Sequence, residues 1–497
     1  MYKFIKISVV CFLALIAACP AFAIILHVPI EYATIQSAID AAAAGDTVLI
    51  RPNIYYENID FDGKNITVAS YLITTGNDAY VYGTIIDGAD SGPVVTFDNG
   101  EDSTAILYGL TIQNGSGKEV ENYDHTLTYI YGGGVYIKNS SPSIIANVIT
   151  GNKVYLSTGK CRGYGGGIYC ENSEARIIDN VISLNEGYRE SDPSTCTTDG
   201  GGICGIESVV LIKGNTLSGN TAKFGGGIAI LNCTAIIEDN EIKQNEVFSI
   251  AFGGGILCMG IPDSYPRIVI RNNVIKENDG NNGAGICCMT TFARIEGNLI
   301  YNNSSAALVC QQGADTIINN TVCDNLGPAL FSANNANPVV MNNIFWNNVH
   351  IFGYEILTFP PGEPQVSCCL VMEGWPGEGN IDAEPQFCNP EADDFTLNVY
   401  SPCLPDNNSC GVLMGTVDIV DCHYMCGDAN GDELLNIEDV MYLLDYYFAG
   451  GAALSNDKMA DLNHNGYIDL ADIVFMAYYV YATGSEPWCT GYSPNAW

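Results

Sequence analysis

Basic residues are scarce in this chain. Lysine and arginine together number 19 against 56 aspartates and glutamates, which gives a formal charge of -37 over 497 residues. Nucleic-acid binding depends on clustered Lys and Arg side chains at the phosphates, so we expect no nucleic-acid partner. The excess of carboxylates favours solubility and Ca²⁺ binding, and most of it is expected to be solvated surface.

Long hydrophobic runs are missing beyond the N-terminus, so we expect no transmembrane segment. Near the N-terminus, two lysines precede an apolar run over residues 7–18, and small residues precede a cut after position 23. That run is short for a membrane span. Residues 1–23 therefore predict a secretory signal peptide, and the mature protein is expected to be secreted, extracellular or at the cell surface. A lipoprotein box ending at Cys19 is the weaker interpretation because Pro20 follows it.

Glycine, by contrast, is abundant at 53 residues, and part of it recurs in register with asparagine. Three small residues and an aliphatic residue occupy positions 132–135, 165–168, 200–203, 225–228, 253–256 and 283–286. An Asn-x-aliphatic-x-x-Asn string then starts at Asn147, Asn180, Asn215, Asn240, Asn273, Asn298, Asn320 and Asn343. These starts lie 22 to 35 residues apart, so a short unit with insertions repeats along the chain, which is typical of a solenoid.

The opening of the mature chain resembles a known superfamily. Residues 32–40 (YATIQSAID), 45–48 (GDTV) and 56–59 (YENI) look like the start of pectate-lyase-like right-handed parallel β-helix proteins. The repeats match the coils of that superfamily, and residues 373–382 (EGWPGEGNID) resemble its closing segment. The resemblance implies a mainly β, pectin-lyase-like solenoid over residues 24–415, with an N-terminal capping helix.

The repeated columns have structural interpretations. Asn side chains at turns bond their neighbours along the stack, so we read the Asn columns as scaffold. The positions of Cys170, Cys258, Cys288 and Cys310 share one strand face by alternation. Reduced cysteines that pack in the core are the favoured interpretation, and stacked disulfides are the alternative.

Three insertions fall at the same point of successive coils, at residues 115–131, 153–164 and 186–199. Insertions at one position of a solenoid stack on one side and commonly build a binding face. Their aromatic and basic residues are the candidate polysaccharide-binding set: Tyr123, Tyr129, Tyr155, Tyr164, Tyr188, Arg162 and Arg189. The alternative is an exposed loop cluster without a ligand. Cys161 and Cys196 lie in adjacent insertions and are a candidate disulfide pair.

A reaction is not assigned by the sequence. The Asp-cluster, Arg-rich, Gly-His-Gly and Arg-x-Lys strings of lyases and hydrolases of this fold are missing where expected. Asp124 and His125 are weak candidates for general acid–base catalysis. Three functions therefore remain open: a polysaccharide lyase or glycoside hydrolase, a non-catalytic glycan-binding or adhesive protein, and a purely structural protein.

Residues 426–484 differ in composition from the repeats: they contain two acidic loops, and each loop is followed by a segment with the apolar periodicity of a helix. A linker at 416–425 precedes this segment, and a tail at 485–497 follows it. Oxygen ligands at these spacings suit Ca²⁺. The first loop offers Asp428, Asn430, Asp432, Leu434, Asn436 and Asp439; the second offers Asp461, Asn463, Asn465, Tyr467, Asp469 and Asp472. The duplicated loops resemble a type I dockerin, which implies two Ca²⁺ ions and a cohesin-type partner. Packing of this segment on the β-helix remains an alternative role.

Overall fold

A computed structural model describes residues 23–482 except positions 124, 157–159, 188–195, 249–250, 262–266, 349–352, 421–426, 431–433, 452–459, 461 and 463–466. The chain divides into two units, with the boundary between Ile381 and Asp382. No helix in the described part is long and apolar enough to cross a membrane.

The first unit is built from three long parallel sheets in which each strand pairs with its equivalent in the next coil. Sheet 1 contains Ile25–Val28, Thr47–Ile50, Thr67–Ser70, Ile106–Tyr108, Ser143–Ile145, Arg176–Ile178, Val209–Lys213, Thr234–Glu238, Ile268–Arg271, Arg294–Glu296, Thr316–Ile318, Val339–Met341 and Gln365–Ser367. Sheet 2 contains Asn53–Tyr56, Thr84–Asp87, Thr111–Gln113, Val148–Thr150, Val181–Ser183, Thr216–Ser218, Glu241–Lys243, Val274–Lys276, Leu299–Tyr301, Thr321–Cys323, Ile344–Trp346 and Leu370–Val371. Sheet 3 contains Ile59–Asp60, Val95–Phe97, Val135–Lys138, Ile168–Glu171, Ile203–Ile206, Ile228–Leu231, Ile256–Met259, Ile286–Met289, Leu308–Gln311, Leu330–Ala333 and Ile356–Thr358. This arrangement is a parallel β-helix, as the repeat predicts.

Strand alternation places the aliphatic residue after each glycine motif inside the coil. Val135, Ile168, Ile203 and Ile228 are Cα partners in successive strands of sheet 3, and all four are completely buried in one continuous core. The predicted N-terminal helix is present as α1 (Ile35–Ala41), and its Ile35, Ala38 and Ile39 join the same core. Two shorter helices follow at α2 (Leu72–Thr75) and α3 (Ala79–Gly83).

Two asparagine ladders run through the turns, which confirms the structural interpretation of the Asn columns. In the first ladder, each side-chain amide donates to the Oδ1 atom of the equivalent asparagine one coil on, as from Asn215 to Asn240 at 3.0 Å. The second ladder does the same five residues later in each coil, as from Asn220 to Asn245 at 2.9 Å. These buried amides satisfy backbone carbonyls as well, so the stack leaves few unpaired polar groups.

The cysteine column consists of free thiols. Cys170, Cys258, Cys288 and Cys310 are all buried and reduced, so the favoured interpretation is confirmed and the alternative of stacked disulfides is wrong for these residues. A hydrogen bond with Cys258 and burial raise the pKa of the Cys288 thiol well above the ordinary value, and burial does the same for the pKa of Cys310. These side chains therefore remain protonated and act as small apolar groups.

The second unit begins with a three-stranded sheet formed by Phe387–Asn389, Asp394–Asn398 and Ile419–Val420. Short 3₁₀ turns lie at Pro390–Ala392 and Pro405–Asn407. Two helices of 13 residues follow, α4 (Ile437–Ala449) and α5 (Leu470–Ala482). Val440 and Leu443 of α4 share a separate small core with Ile473 and Met476 of α5.

Candidate functional site

The three insertions converge into a four-stranded sheet, called here the insertion sheet. A hairpin of Lys118–Glu121 and Thr128–Tyr131 pairs in parallel with Cys161–Tyr164, which in turn pairs with Thr197–Asp199. The predicted Cys161–Cys196 disulfide is confirmed, with Cα atoms 4.4 Å apart. Because parallel insertions stack at the coil spacing, one side of the β-helix gains an extra wall at these coils.

One face of the insertion sheet packs on the outer side of sheet 3. Val135 and Ile137 point into the coil, so alternation turns Tyr136 outward, and its equivalents in the next coils are Tyr169 and Cys204. All three outward side chains are nevertheless buried, because Tyr131 and Tyr164 of the insertion sheet pack against them. The junction of the two sheets is therefore a packed aromatic cluster, and the surface along its exposed edge is called here the aromatic groove.

The tyrosine rings of this groove stack on one another. Tyr131 lies 5.5 Å from Tyr164 and 6.2 Å from Tyr129, with near-parallel planes in both pairs. Tyr136 stacks on Tyr169 at 5.8 Å. Since the ring faces contact other rings, the groove offers ring edges and hydroxyl groups to a ligand.

Charged side chains border the same groove. Lys118 lies 4.7 Å above the Tyr136 ring and pairs with Asp98 at 2.9 Å. On the neighbouring coil, Lys138 pairs with Glu171 at 2.7 Å, and the Tyr169 hydroxyl donates to the same carboxylate at 3.1 Å. These pairs place cations, carboxylates and hydroxyls along one edge of the tyrosine cluster.

Arg162 differs from the two lysines. Its side chain is exposed, it lies on the same strand face as Tyr164, and the neighbouring Tyr164 hydroxyl raises the pKa of Arg162. No ion pair within 4.0 Å joins Arg162 to a carboxylate in the described part of the chain. An exposed guanidinium of this kind is available to bond an incoming ligand.

The groove also contains a carboxyl group that sequence reasoning did not select. Asp199 is the register partner of Tyr164, and burial raises its pKa to about 6 although Arg162 opposes the shift. Tyr131, Tyr164 and Asp199 each immediately precede a glycine motif. That shared position was readable in the sequence and predicts that the three side chains occupy one column.

Burial also raises the pKa of both Tyr131 and Tyr136 to about 12. Their hydroxyls are therefore protonated across the physiological range, so each can donate one hydrogen bond and accept others. The groove presents neutral phenols between charged groups, a set suited to hydroxyl-rich ligands.

The structure brings together only part of the predicted binding set. Tyr129, Tyr164 and Arg162 share the groove face. Tyr155 instead packs on the opposite face of the insertion sheet, and its hydroxyl donates to Glu186 at 2.9 Å. Tyr123 is fully exposed in the hairpin connection. Tyr188 and Arg189 lie outside the described residues.

The weak catalytic candidates gain no geometric support. His125 is exposed in the hairpin connection, and its Nδ1 atom bonds the nearby Glu121 carboxylate. Asp124 lies outside the described residues. The described His125 environment thus shows a surface contact with Glu121 rather than a base aimed into the groove.

The acidic loops of the second unit place several predicted ligands near the starts of α4 and α5. Asp428, Asp439 and Asp472 are buried carboxylates. The Asp439 carboxylate accepts from the backbone N–H of Ala429 at 3.0 Å and of Asn436 at 2.9 Å. Burial raises the pKa of Asp439, and the nearby Asp428 adds to the shift.

The second loop repeats part of this pattern, since Asp472 accepts from the Asp469 N–H at 2.8 Å. Asn430, Leu434 and Tyr467 are within the described part of the chain, whereas Asp432, Asp461, Asn463 and Asn465 are outside it. Among the described residues, no group of three or more His, Cys, Asp or Glu side chains is arranged around a common metal position.

Comparison with known families identifies the β-helix. Residues 57–356 match the family model described as periplasmic copper-binding protein (NosD). The chain belongs to the NosD family. No curated protein matches this NosD-family chain over its sequence.

Among solved structures, a PL6 family polysaccharide lyase from Pseudopedobacter saltans is similar at 12% identity and a TM-score of 0.30, over 80% of this chain and 93% of the lyase. The receptor-binding tailspike protein of bacteriophage Det7 is similar at 11% identity and a TM-score of 0.25, over 76% of this chain and 74% of the tailspike. These are distant likenesses, so the functional argument rests on this chain's own residues.

Proposed function

We propose that this NosD-family protein is exported and binds polysaccharide in the groove between sheet 3 and the insertion sheet. The observation that carries the proposal is the convergence of three separate insertions on one face, where Tyr129, Tyr131 and Tyr164 meet Arg162. Nothing in the packing of the β-helix itself requires an exposed guanidinium beside stacked phenols. A ligand rich in hydroxyl groups would use both.

The groove chemistry favours recognition of sugar hydroxyls by hydrogen bonds. Tyrosine hydroxyls donate and accept, Arg162 donates, and the Glu171 carboxylate accepts. Each such bond to a neutral hydroxyl contributes about 1 kcal/mol net, so several are needed for a measurable affinity. A chain of sugar residues that follows the stacked coils supplies several contacts, whereas a single sugar does not.

Catalysis is not part of this proposal. Retaining and inverting glycosidases use two carboxyl groups that flank the scissile bond. In the groove, Asp199 is partly buried beside Tyr164, while Glu171 is paired with Lys138. Asp98 at the same edge is likewise paired, with Lys118. Because Asp98 and Glu171 are both neutralised by lysines, binding without turnover is the favoured activity, and lyase or hydrolase activity is the alternative to be tested.

Copper requires separate treatment because the family description names it. Copper sites use His, Cys and Met ligands, and a thiol must be deprotonated to bind. The free cysteines here are buried, and burial raises the pKa of thiols such as Cys170 and Cys287. Of the two described histidines, His27 lies in the first strand of sheet 1 and His125 in the distant hairpin connection. The described histidines and cysteines do not form a copper site, and we derive no role for copper from them.

The binding proposal is tested with the full chain and immobilised or soluble polysaccharides, both neutral and acidic. We expect retention and a calorimetric signal with at least one of them, and no release of reducing ends or unsaturated products. Arg162→Ala should weaken that binding at least tenfold. Arg176→Ala, an exposed arginine in sheet 1 of the same coil, is the matched control and should bind as the parent does. Equal losses in both variants would contradict the groove assignment, and product release would replace binding by catalysis.

We further propose that residues 426–484 form a Ca²⁺-loaded docking module for a cohesin-type partner. Support comes from the buried loop carboxylates and from the repetition of the pattern at an offset of 33 residues, which aligns Asp428 with Asp461 and Asp439 with Asp472. Buried carboxylates without cations are costly, and Ca²⁺ would compensate them.

Exposed apolar side chains on α4 and α5 support the docking part of this proposal. They occupy aligned positions in the two helices: Ile437, Met441 and Phe448 in α4, and Leu470, Val474 and Tyr481 in α5. Calorimetric titration of Ca²⁺ should give two sites in the parent chain and one in Asp439→Ala. An unchanged stoichiometry in this variant would contradict the ligand assignment, and Asp445→Ala, on the exposed side of α4, is the control.

A further inference from the structure

The outer surface of sheet 3 changes from charged to apolar along the β-helix. Strand alternation turns the last residue of each sheet 3 strand outward, and these residues are Cα partners from coil to coil. In order they are Lys138, Glu171, Ile206, Leu231, Met259, Met289 and Gln311. The four consecutive apolar residues, Ile206, Leu231, Met259 and Met289, are called here the apolar stripe. At the spacing of paired strands it is about 14 Å long.

A second outward column changes at the same coil. The residues that precede the glycine motifs pair through their backbones in the order Tyr131, Tyr164, Asp199, Phe224, Phe252 and Asn282. Tyrosine therefore gives way to phenylalanine after Asp199, in the coil that contains Ile206. The rings of Phe224 and Phe252 stack 6.3 Å apart with near-parallel planes. Both columns thus replace hydroxyls and charges by apolar groups beyond this coil.

The apolar stripe is continuous with the aromatic groove. Ile206 and Leu231 pack on the same buried cluster as Tyr131 and Tyr164. Glu171, whose carboxylate borders the groove, is the Cα partner of Ile206 in the next coil. Exposure alone does not distinguish the stripe, because sheet 1 also turns an apolar column outward at Leu211, Ile236 and Val269. Contact with the groove cluster does distinguish it.

The side chains of the stripe suit small protruding apolar groups. Met259 is 37% exposed, and its thioether chain adapts to irregular shapes. The stripe itself contains aliphatic and thioether side chains, while the adjacent Phe224 and Phe252 cover each other's faces. A flat sugar face therefore finds no open aromatic platform here. An apolar substituent on a sugar fits between such side chains.

We propose that the apolar stripe is a second subsite of the groove, which takes acyl ester substituents of the bound polysaccharide, with the O-acetyl group as the smallest of them. This inference rests on the proposed polysaccharide binding. A polymer that contacts Arg162 and follows the coil axis reaches Ile206 one coil later and Leu231 after that. Acylation converts a sugar hydroxyl into an apolar group, and each methyl group that the stripe buries strengthens binding by about fourfold.

Paired polymers that differ only in their esters test the subsite. Titration calorimetry of the full chain compares acetylated xylan and acetylated polygalacturonate with their deacetylated forms. We expect the acetylated form of at least one polymer to bind at least tenfold more tightly. Equal affinity for both forms of each polymer would overturn the acyl subsite and leave the proposed binding function standing. No binding to any of the four would contradict the groove on which this inference rests.

Three variants separate the two subsites. Met259→Gln keeps the side-chain length at an exposed position, and it should lower the preference for the acetylated form about fourfold without changing affinity for the deacetylated form. Arg162→Ala should weaken both forms equally. Ile236→Gln, at a position 39% exposed in sheet 1, is the matched control and should keep the preference of the parent. An unchanged preference in Met259→Gln, or the same loss in Ile236→Gln, would overturn the proposal.

Discussion

The rings of Tyr131 and Tyr164 stack 5.5 Å apart at an interplanar angle of 10°, although the two residues lie 33 positions apart in the sequence. This contact closes the aromatic groove from the insertion-sheet side. It also occupies the ring faces, so the ligand contacts that remain are the hydroxyl groups.

The first prediction follows from that contact. The double variant Tyr131→Phe/Tyr164→Phe keeps the stacked rings and removes both hydroxyls. We expect polysaccharide affinity to fall about tenfold, the loss of one to two hydrogen bonds, while the melting temperature changes little. Titration calorimetry measures the first and calorimetric unfolding the second. Tyr56→Phe, an exposed tyrosine of sheet 2, is the control. Full affinity in the double variant would show that the hydroxyls are not ligands.

The asparagine ladder gives a stability prediction. Asn245 accepts from the N–H of Asn220 at 3.1 Å, and its amide donates to Leu217 O at 3.0 Å, all inside the protein. Asn245→Ala leaves these buried groups unpaired, so the free energy of unfolding should fall by about 3 kcal/mol. Asn99→Ala, on the surface beside Asp98, should change it by less than about 0.5 kcal/mol. Similar values for the two variants in denaturant titrations would refute a stabilising ladder.

Asp199 predicts a pH dependence. Its folded pKa of about 6 exceeds the ordinary value of 3.8, so the folded state holds its proton more tightly than the unfolded state does. The contribution of protonated Asp199 to the free energy of unfolding is complete below about pH 4 and is lost as the pH rises through 6. Asp199→Asn should therefore melt with the parent at pH 4 and be more stable at pH 8, on the order of 2 kcal/mol. Thermal unfolding at both pH values measures this, and a variant that is less stable at pH 8 would contradict the assignment.

The Cys161–Cys196 disulfide predicts a local effect. The loss of chain entropy on forming such a disulfide corresponds to about 3 to 4 kcal/mol of stability. This disulfide, however, links strand Cys161–Tyr164 of the insertion sheet to the residue just before strand Thr197–Asp199. In Cys161→Ala/Cys196→Ala, we expect faster proteolysis of residues 118–131 and weaker polysaccharide binding. The long sheets should keep their hydrogen-exchange protection. Loss of protection throughout sheets 1 to 3 would show that the link supports the whole β-helix.

Much of the fold was predictable because the repeat is a local pattern with a single physical solution. Coils of this length with an aliphatic column and paired asparagines must stack, since one coil alone cannot bury its apolar face. The asparagine ladder and the reduced cysteine column follow from the same logic, and both are confirmed. The site was predictable only as a region: the three insertions were identified, yet Asp199 was not, because its importance depends on the residues that stack above and below it.

The sequence by itself determined the parallel β-helix, its asparagine ladders and the place where function was to be sought, because these depend on periodicity within each coil. Only the tertiary structure decided which insertion residues share a face. Pairing of the insertion strands directs Tyr129, Tyr164 and Arg162 to the groove and Tyr155 to the opposite side. The tertiary structure also decided that the ring faces of Tyr131 and Tyr164 are covered and that one asparagine ladder ends on the Glu355 carboxyl. These features depend on strand register between coils, which a linear pattern of residues does not specify.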